Sequence, residues 1–143
     1  MFVLVGLVLA ILWRRPWIFV LVLVADAAAE GISLGLRDWI GRLRPPLVYP
    51  EPKPLVGVPH SGSFPSGHTS TAFACAVVLA WFAPRLAVPL LVLALAIGCS
   101  RVYVGVHWPL DIVGGVVLGV LVATALLMLS RALPRLRQER RAG

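Results

Sequence analysis

The chain has 143 residues, of which 59% are hydrophobic and 13% charged, with 13 basic against 6 acidic side chains for a net charge of +7. Soluble domains carry about 45–50% apolar and about 25% charged residues. This composition therefore excludes a water-soluble domain, a disordered segment and, despite the positive charge, a water-facing nucleic-acid module.

A mean hydropathy of +0.93 makes a bilayer the solvent to expect. The first apolar run, Met1–Trp13, lacks a charged leader and a small-residue cleavage site, so it reads as a short or truncated span and not as a signal peptide. Trp13-Arg14-Arg15-Pro16-Trp17 follows as a tight basic turn with interfacial tryptophans. The second run is Trp17–Leu36, and within it Asp26 and Glu30 lie four apart and share a helix face. They read either as interior groups touching a neighbouring arginine or a subunit, or as polar packing, and neither is assigned a catalytic role. Segment Arg44–Pro65 holds seven of the twelve prolines together with Gly57 and Gly62, which predicts a loop with no regular helix. Three more apolar runs follow, Thr69–Ala83, Leu86–Gly98 and Leu110–Leu129, the first two separated by a second basic turn at Pro84-Arg85. Cys75 and Cys99 lie inside apolar runs and read as small core residues, not as disulfide partners or zinc ligands. Residues 131–143 form a basic tail.

A hydrocarbon core of about 30 Å needs about 20 helical residues. The second and fifth runs reach that length, and the others do so only with their polar ends at the interface or inside the bundle. The predicted fold is all-α: one membrane-embedded domain over residues 1–143, a polytopic transmembrane helical bundle of about five spans. Alternating spans place both basic turns and the tail, eight of the thirteen basic residues, on one face. The positive-inside rule makes that face cytoplasmic and leaves Arg37–Pro65 and Arg101–Pro109 outside.

A charged side chain at mid-membrane costs about 2.5–3.5 kcal/mol on insertion scales, so clusters of polar residues in such a chain carry information. Three clusters fall on the outer side: Arg37, Arg42 and Arg44-Pro45; Ser63–Ser70; and Ser100-Arg101 followed by His107–Asp111. One pocket at the extracytoplasmic interface can collect all three. Arg37, Arg44 and Arg101 suit a phosphate, because the guanidinium fork donates two hydrogen bonds and stays charged. Taken singly each also reads as an interfacial arginine reaching for lipid headgroups, which is the reading kept for Arg42 and Lys53. Pro65-Ser66-Gly67-His68 opens a helix: Ser66 is placed to cap it, Gly67 lets backbone approach a ligand, and the free N–H groups attract anions. His68 is placed either as a general acid or as a hydrogen-bonded interfacial histidine. His107 and Asp111 lie four apart across a helix start, so the carboxylate can hold one imidazole nitrogen and leave the other to attack. The bland alternative is a structural histidine. A metal is disfavoured, since two histidines and one aspartate lack the oxygen ligands of magnesium and zinc would leave the arginines idle.

Arg37-x6-Arg44-Pro45, Pro65-Ser66-Gly67-His68 and Ser100-Arg101-x5-His107-x3-Asp111 together resemble the three-part signature of the type-2 phosphatidic acid phosphatase superfamily, which includes the vanadium haloperoxidases. The signature region runs over residues 37–111. Two departures stand out: the first position, commonly lysine, is Arg37, and integral members commonly have six spans. The resemblance implies that His107 forms a phosphohistidine, Asp111 orients it, and His68 protonates the leaving oxygen. It implies further that Arg37, Arg44, Arg101, Ser66 and the Gly67 amide bind the phosphate oxygens, with no metal and no cofactor. The expected substrate is a membrane lipid phosphate, foremost a prenyl diphosphate such as undecaprenyl diphosphate and next phosphatidic acid or phosphatidylglycerol phosphate. The expected setting is the bacterial cytoplasmic membrane, with the site outward, the C-terminus cytoplasmic and no nucleic-acid partner; the oligomeric state is left open. Vanadate-dependent peroxidation and a non-catalytic membrane scaffold or lipid-binding subunit are the competing readings.

Overall fold

Each apolar run becomes a helix, because backbone polar groups in hydrocarbon are satisfied only within the segment. The computed structural model describes residues 1–132, and among these there is no strand. The elements are α1 (Phe2–Leu12), α2 (Pro16–Ile40), a single turn α3 (Pro45–Val48), α4 (Gly67–Phe82), α5 (Ala87–Tyr103) and α6 (Pro109–Ala132). The segments Pro16–Val48, Pro84–Tyr103 and Pro109–Ala132 are long and apolar enough to cross a membrane, whereas α1 and α4, with 11 and 16 residues, are shorter. At 1.5 Å per residue α4 covers only about 24 Å. Of the expected basic tail 131–143, Arg131 and Ala132 are described, and 133–143 lie outside the described residues.

The helices α2, α4, α5 and α6 run further than the apolar runs at one end of the bundle, and the extensions carry the polar clusters. Arg37 sits in the last turn of α2, Gly67 and His68 open α4, Arg101 lies in the last turn of α5 and Asp111 in the first turn of α6. Reversal of chain direction between successive long helices brings these ends together.

The central helix is α4, packed against α1, α2, α5 and α6. Ten of its sixteen residues are buried. Small residues permit the close approach that holds helices together in lipid. A Cβ placed on Gly115 would stand 2.7 Å from Thr69 Cβ, and one on Gly119 would stand 2.5 Å from the carbonyl oxygen of Ser70. The partner α5 buries one stripe, Leu90, Ala94 and Gly98, at helical spacing. Cys99, one position round from that stripe, is exposed, so the core placement expected for both cysteines holds for Cys75 and fails for Cys99.

Two loops matter for the site. The end of α2 is set by Gly41 in the left-handed region at φ 61°, where its N–H caps Arg37 O. This reverses the chain before Arg42. The proline-rich segment, expected to lack regular helix, contains the one-turn α3, because Pro45 and Pro46 occupy first-turn positions where a missing N–H is harmless. Its return limb is tied down by Ser63 N–H to Arg42 O at 2.8 Å, and by Leu55 N–H to Val104 O at 3.1 Å.

Candidate active site

His107 and Asp111 face one another at the start of α6, as a spacing of four across a helix start requires. Asp111 is fully buried and His107 nearly so. Nδ1 of His107 lies 3.3 Å from Asp111 Oδ2, which also accepts from the Trp108 N–H at 2.8 Å. On the far side of the ring, Nε2 lies 3.2 Å from Arg44 Nη1. A guanidinium only donates, so Nε2 is the acceptor and the ring proton sits on Nδ1, directed at the carboxylate. The imidazole thus turns its lone pair toward a cation and is steadied from behind by an anion.

Arg44, at 1% exposure, is among the most deeply buried side chains of the molecule. It satisfies this burial with donors in three directions: Nε to Ser61 O at 3.0 Å, Nη2 to Gly62 O at 3.0 Å and Nη1 to Val106 O at 3.0 Å. The residue therefore knits the loop after α2, the loop before α4 and the loop before α6 around the imidazole.

Ser66 occupies the N-cap position of α4, but its side chain makes no cap hydrogen bond. Its Oγ accepts instead from Thr69 Oγ1 at 3.0 Å, and its N–H donates to Asp111 O at 3.0 Å, joining the starts of α4 and α6. The expected capping role is thus corrected: with the residue fully buried against α6, Thr69 claims the hydroxyl. Gly67 is buried with Arg37 and Ser33 beside it, a Cβ there standing 3.1 Å from Arg37 Nη2. His68, the next residue, is exposed, and the charges that act on its ring belong to Arg101, Glu30, His107 and Arg37. Arg101 is half-buried, with Nε donating to Ser100 Oγ at 3.3 Å. All eight residues singled out from the sequence therefore gather at one end of the bundle.

Arg42, expected to reach for lipid headgroups, lies elsewhere. Its Nη1 lies 2.9 Å from Asp111 Oδ1, and its guanidinium stands 5.8 Å from the centre of the Trp108 ring. After the turn at Gly41, Arg42 and Arg44 both reach the site while Leu43 between them is exposed. The Arg-x-Arg spacing was the available signal. Of the acidic pair Asp26 and Glu30 in α2, Glu30 does contact an arginine, pairing with Arg37 at 2.7 Å, whereas Asp26 accepts from Cys75 Sγ at 3.7 Å.

Comparison with known proteins places this arrangement. A profile of the PAP2 superfamily matches residues 15–135. Phosphatidylglycerophosphatase B of Bacillus subtilis (strain 168) is 32% identical over 142 residues, a match covering 89% of this chain and 65% of that protein. Undecaprenyl-diphosphatase BcrC of the same organism is 36% identical over 84 residues, covering 53% of this chain and 44% of that protein. The chain thus spans less than two thirds of the length of these curated relatives. Among solved structures, a transmembrane PAP2 type phosphatidylglycerolphosphate phosphatase from Bacillus subtilis superposes with a TM-score of 0.73 at 30% identity, covering 94% of this chain and 69% of that one.

Proposed function

The chain belongs to the PAP2 superfamily, and from that premise we propose that it is an integral membrane lipid phosphatase working through a phosphohistidine. The observation that carries this reading is the poise of His107, whose Nδ1 faces Asp111 and whose Nε2 faces Arg44. Nε2 attacks phosphorus, the bond from phosphorus to the lipid oxygen or bridging oxygen breaks, and His68 supplies the proton that the leaving oxygen takes. Water then attacks the phosphohistidine, giving its proton to His68, and orthophosphate leaves. The equatorial oxygens, where charge concentrates, are met by Arg37, Arg44, Arg101 and the Gly67 N–H. Ser66 Oγ accepts from Thr69 and keeps its own proton to donate. Guanidinium charge does the work that a divalent ion does elsewhere, so no metal enters the scheme.

The favoured substrate is a prenyl diphosphate such as undecaprenyl diphosphate, with phosphatidylglycerol phosphate and phosphatidic acid next; likeness to an undecaprenyl-diphosphatase and to a phosphatidylglycerophosphatase supports the first two. The site faces outward from a bacterial cytoplasmic membrane with the C-terminus cytoplasmic, a reading supported by the distribution of basic residues. The test is phosphate release from a panel of these lipids by purified protein in detergent with EDTA present. Release that orthovanadate inhibits competitively supports the reading, and no release from any lipid defeats it.

Two further results are expected. Activity follows a bell-shaped pH profile, since His107 attacks only when unprotonated and His68 acts as acid only when protonated. A rate that is flat from about pH 5 to about pH 8 contradicts both roles. Arg42→Ala frees Oδ1 of Asp111 while His107 and Trp108 still hold Oδ2, so the carboxylate loosens without leaving. Turnover falls about 10- to 100-fold, as for other residues that orient a reacting group from behind. Steady-state kinetics check this: a change confined to KM refutes it.

A further inference from the structure

Arg37 stands at the end of α2, yet its side chain runs back along its own helix. Nε donates to Ser33 O at 3.2 Å, and Nη2 donates to Glu30 Oε1 at 2.7 Å and to Ser33 Oγ at 3.3 Å. Glu30 lies seven residues earlier, about 10 Å down the axis at 1.5 Å per residue. Only a side chain as long as arginine, leaning toward the N-terminus as helical side chains do, closes that gap. The pair is pressed against the first residue of α4: a Cβ on Gly67 would stand 2.7 Å from Glu30 Oε2 and 3.1 Å from Arg37 Nη2. Nη1 makes no hydrogen bond among the described residues.

Building on the phosphatase reading above, we propose that Glu30 is a positioning residue of the phosphate pocket, anchoring Arg37 by Nη2 so that Nη1 is the limb presented to a phosphate oxygen. A guanidinium has two limbs in one plane and a fixed fork. Binding one limb to a carboxylate sets the direction of the other, which an ammonium, a point charge on a flexible stem, does not permit. Ser33 completes the hold: its Oγ donates to Glu30 O at 2.9 Å while accepting from Arg37. Glu30 thus acts on the substrate through Arg37, and its loss frees a side chain whose ordering is worth about tenfold in affinity.

The experiment is a double-mutant cycle on the full chain in detergent, with Glu30→Gln and Ser33→Ala each made in the wild-type and the Arg37→Ala backgrounds. KM and kcat are measured on the best lipid phosphate, together with the inhibition constant of orthovanadate. Glu30→Gln keeps the shape but weakens the anchor, because an ion pair becomes a bond from the guanidinium to a neutral amide oxygen. KM and the vanadate constant rise about 3- to 10-fold, with kcat changed less than about threefold, and Ser33→Ala moves them the same way by about twofold. Both effects vanish in the Arg37→Ala background. A lowered KM shows that Glu30 competes with the phosphate, and effects of equal size without Arg37 show that it acts elsewhere; either overturns the proposal while the phosphatase reading stands. No turnover by wild type defeats both. If Glu30→Gln does not fold, the uncharged Ser33→Ala cycle decides by the same criteria.

Discussion

Replacing His107 with alanine reduces lipid phosphate release by on the order of 10⁴-fold or more, the scale seen when a covalent nucleophile is removed. The fold survives, because Asp111 keeps Arg42 and the Trp108 N–H, and Arg44 keeps its three carbonyls. The variant therefore separates chemistry from binding: it still takes up the lipid and orthovanadate but does not turn over. A sharper reading comes from acid-labile phosphate on the protein after rapid mixing with labelled lipid, present in wild type and absent in His107→Ala. Turnover at the wild-type rate in the variant removes the nucleophile from the scheme and favours a non-catalytic membrane protein.

Arg44→Ala damages stability and activity together. Removing the guanidinium leaves the carbonyls of Ser61, Gly62 and Val106 without that donor. An unsatisfied buried group costs about 1–3 kcal/mol, and with Val106 O buried and the other two partly so the protein loses about 2 kcal/mol or more. Turnover falls on the order of 10³-fold, because a cation beside the developing charge goes and the His107 ring loses its partner at Nε2. Arg44→Lys fails to restore either property, since one ammonium cannot meet carbonyls in three directions. Thermal unfolding in detergent and kcat are the measurements. Recovery by lysine to within about tenfold of wild-type turnover contradicts this account of Arg44.

Other features were open to reading from residues alone to different degrees. The apolar helices were, because hydrocarbon admits few backbone solutions and the runs are long. His107 and Asp111 were, because a spacing of four across a helix start leaves little freedom. Arg42 was not: its direction depends on the left-handed turn at Gly41, and its partner Asp111 lies 69 positions away. Arg37 was legible as a cation and illegible as a partner of Glu30, since a long side chain at a helix end can run outward to headgroups or back along its own helix. Thr69 took the Ser66 hydroxyl from its expected cap, and Cys99 turned outward because α5 packs on one stripe only.

The amino-acid sequence by itself determined the solvent, the all-helical architecture and the residue types of the site, because solvent and helix follow from local composition and motifs from short spacings. Tertiary structure alone decided which partner each arginine takes. Arg37, Arg42, Arg44 and Arg101 carry the same group, and a guanidinium is satisfied by any carboxylate, carbonyl or imidazole within reach. Only packing around α4 brings Asp111, three loop carbonyls and His107 within reach of Arg42 and Arg44, and only the choice of Arg37 to run back along its own helix gives it Glu30.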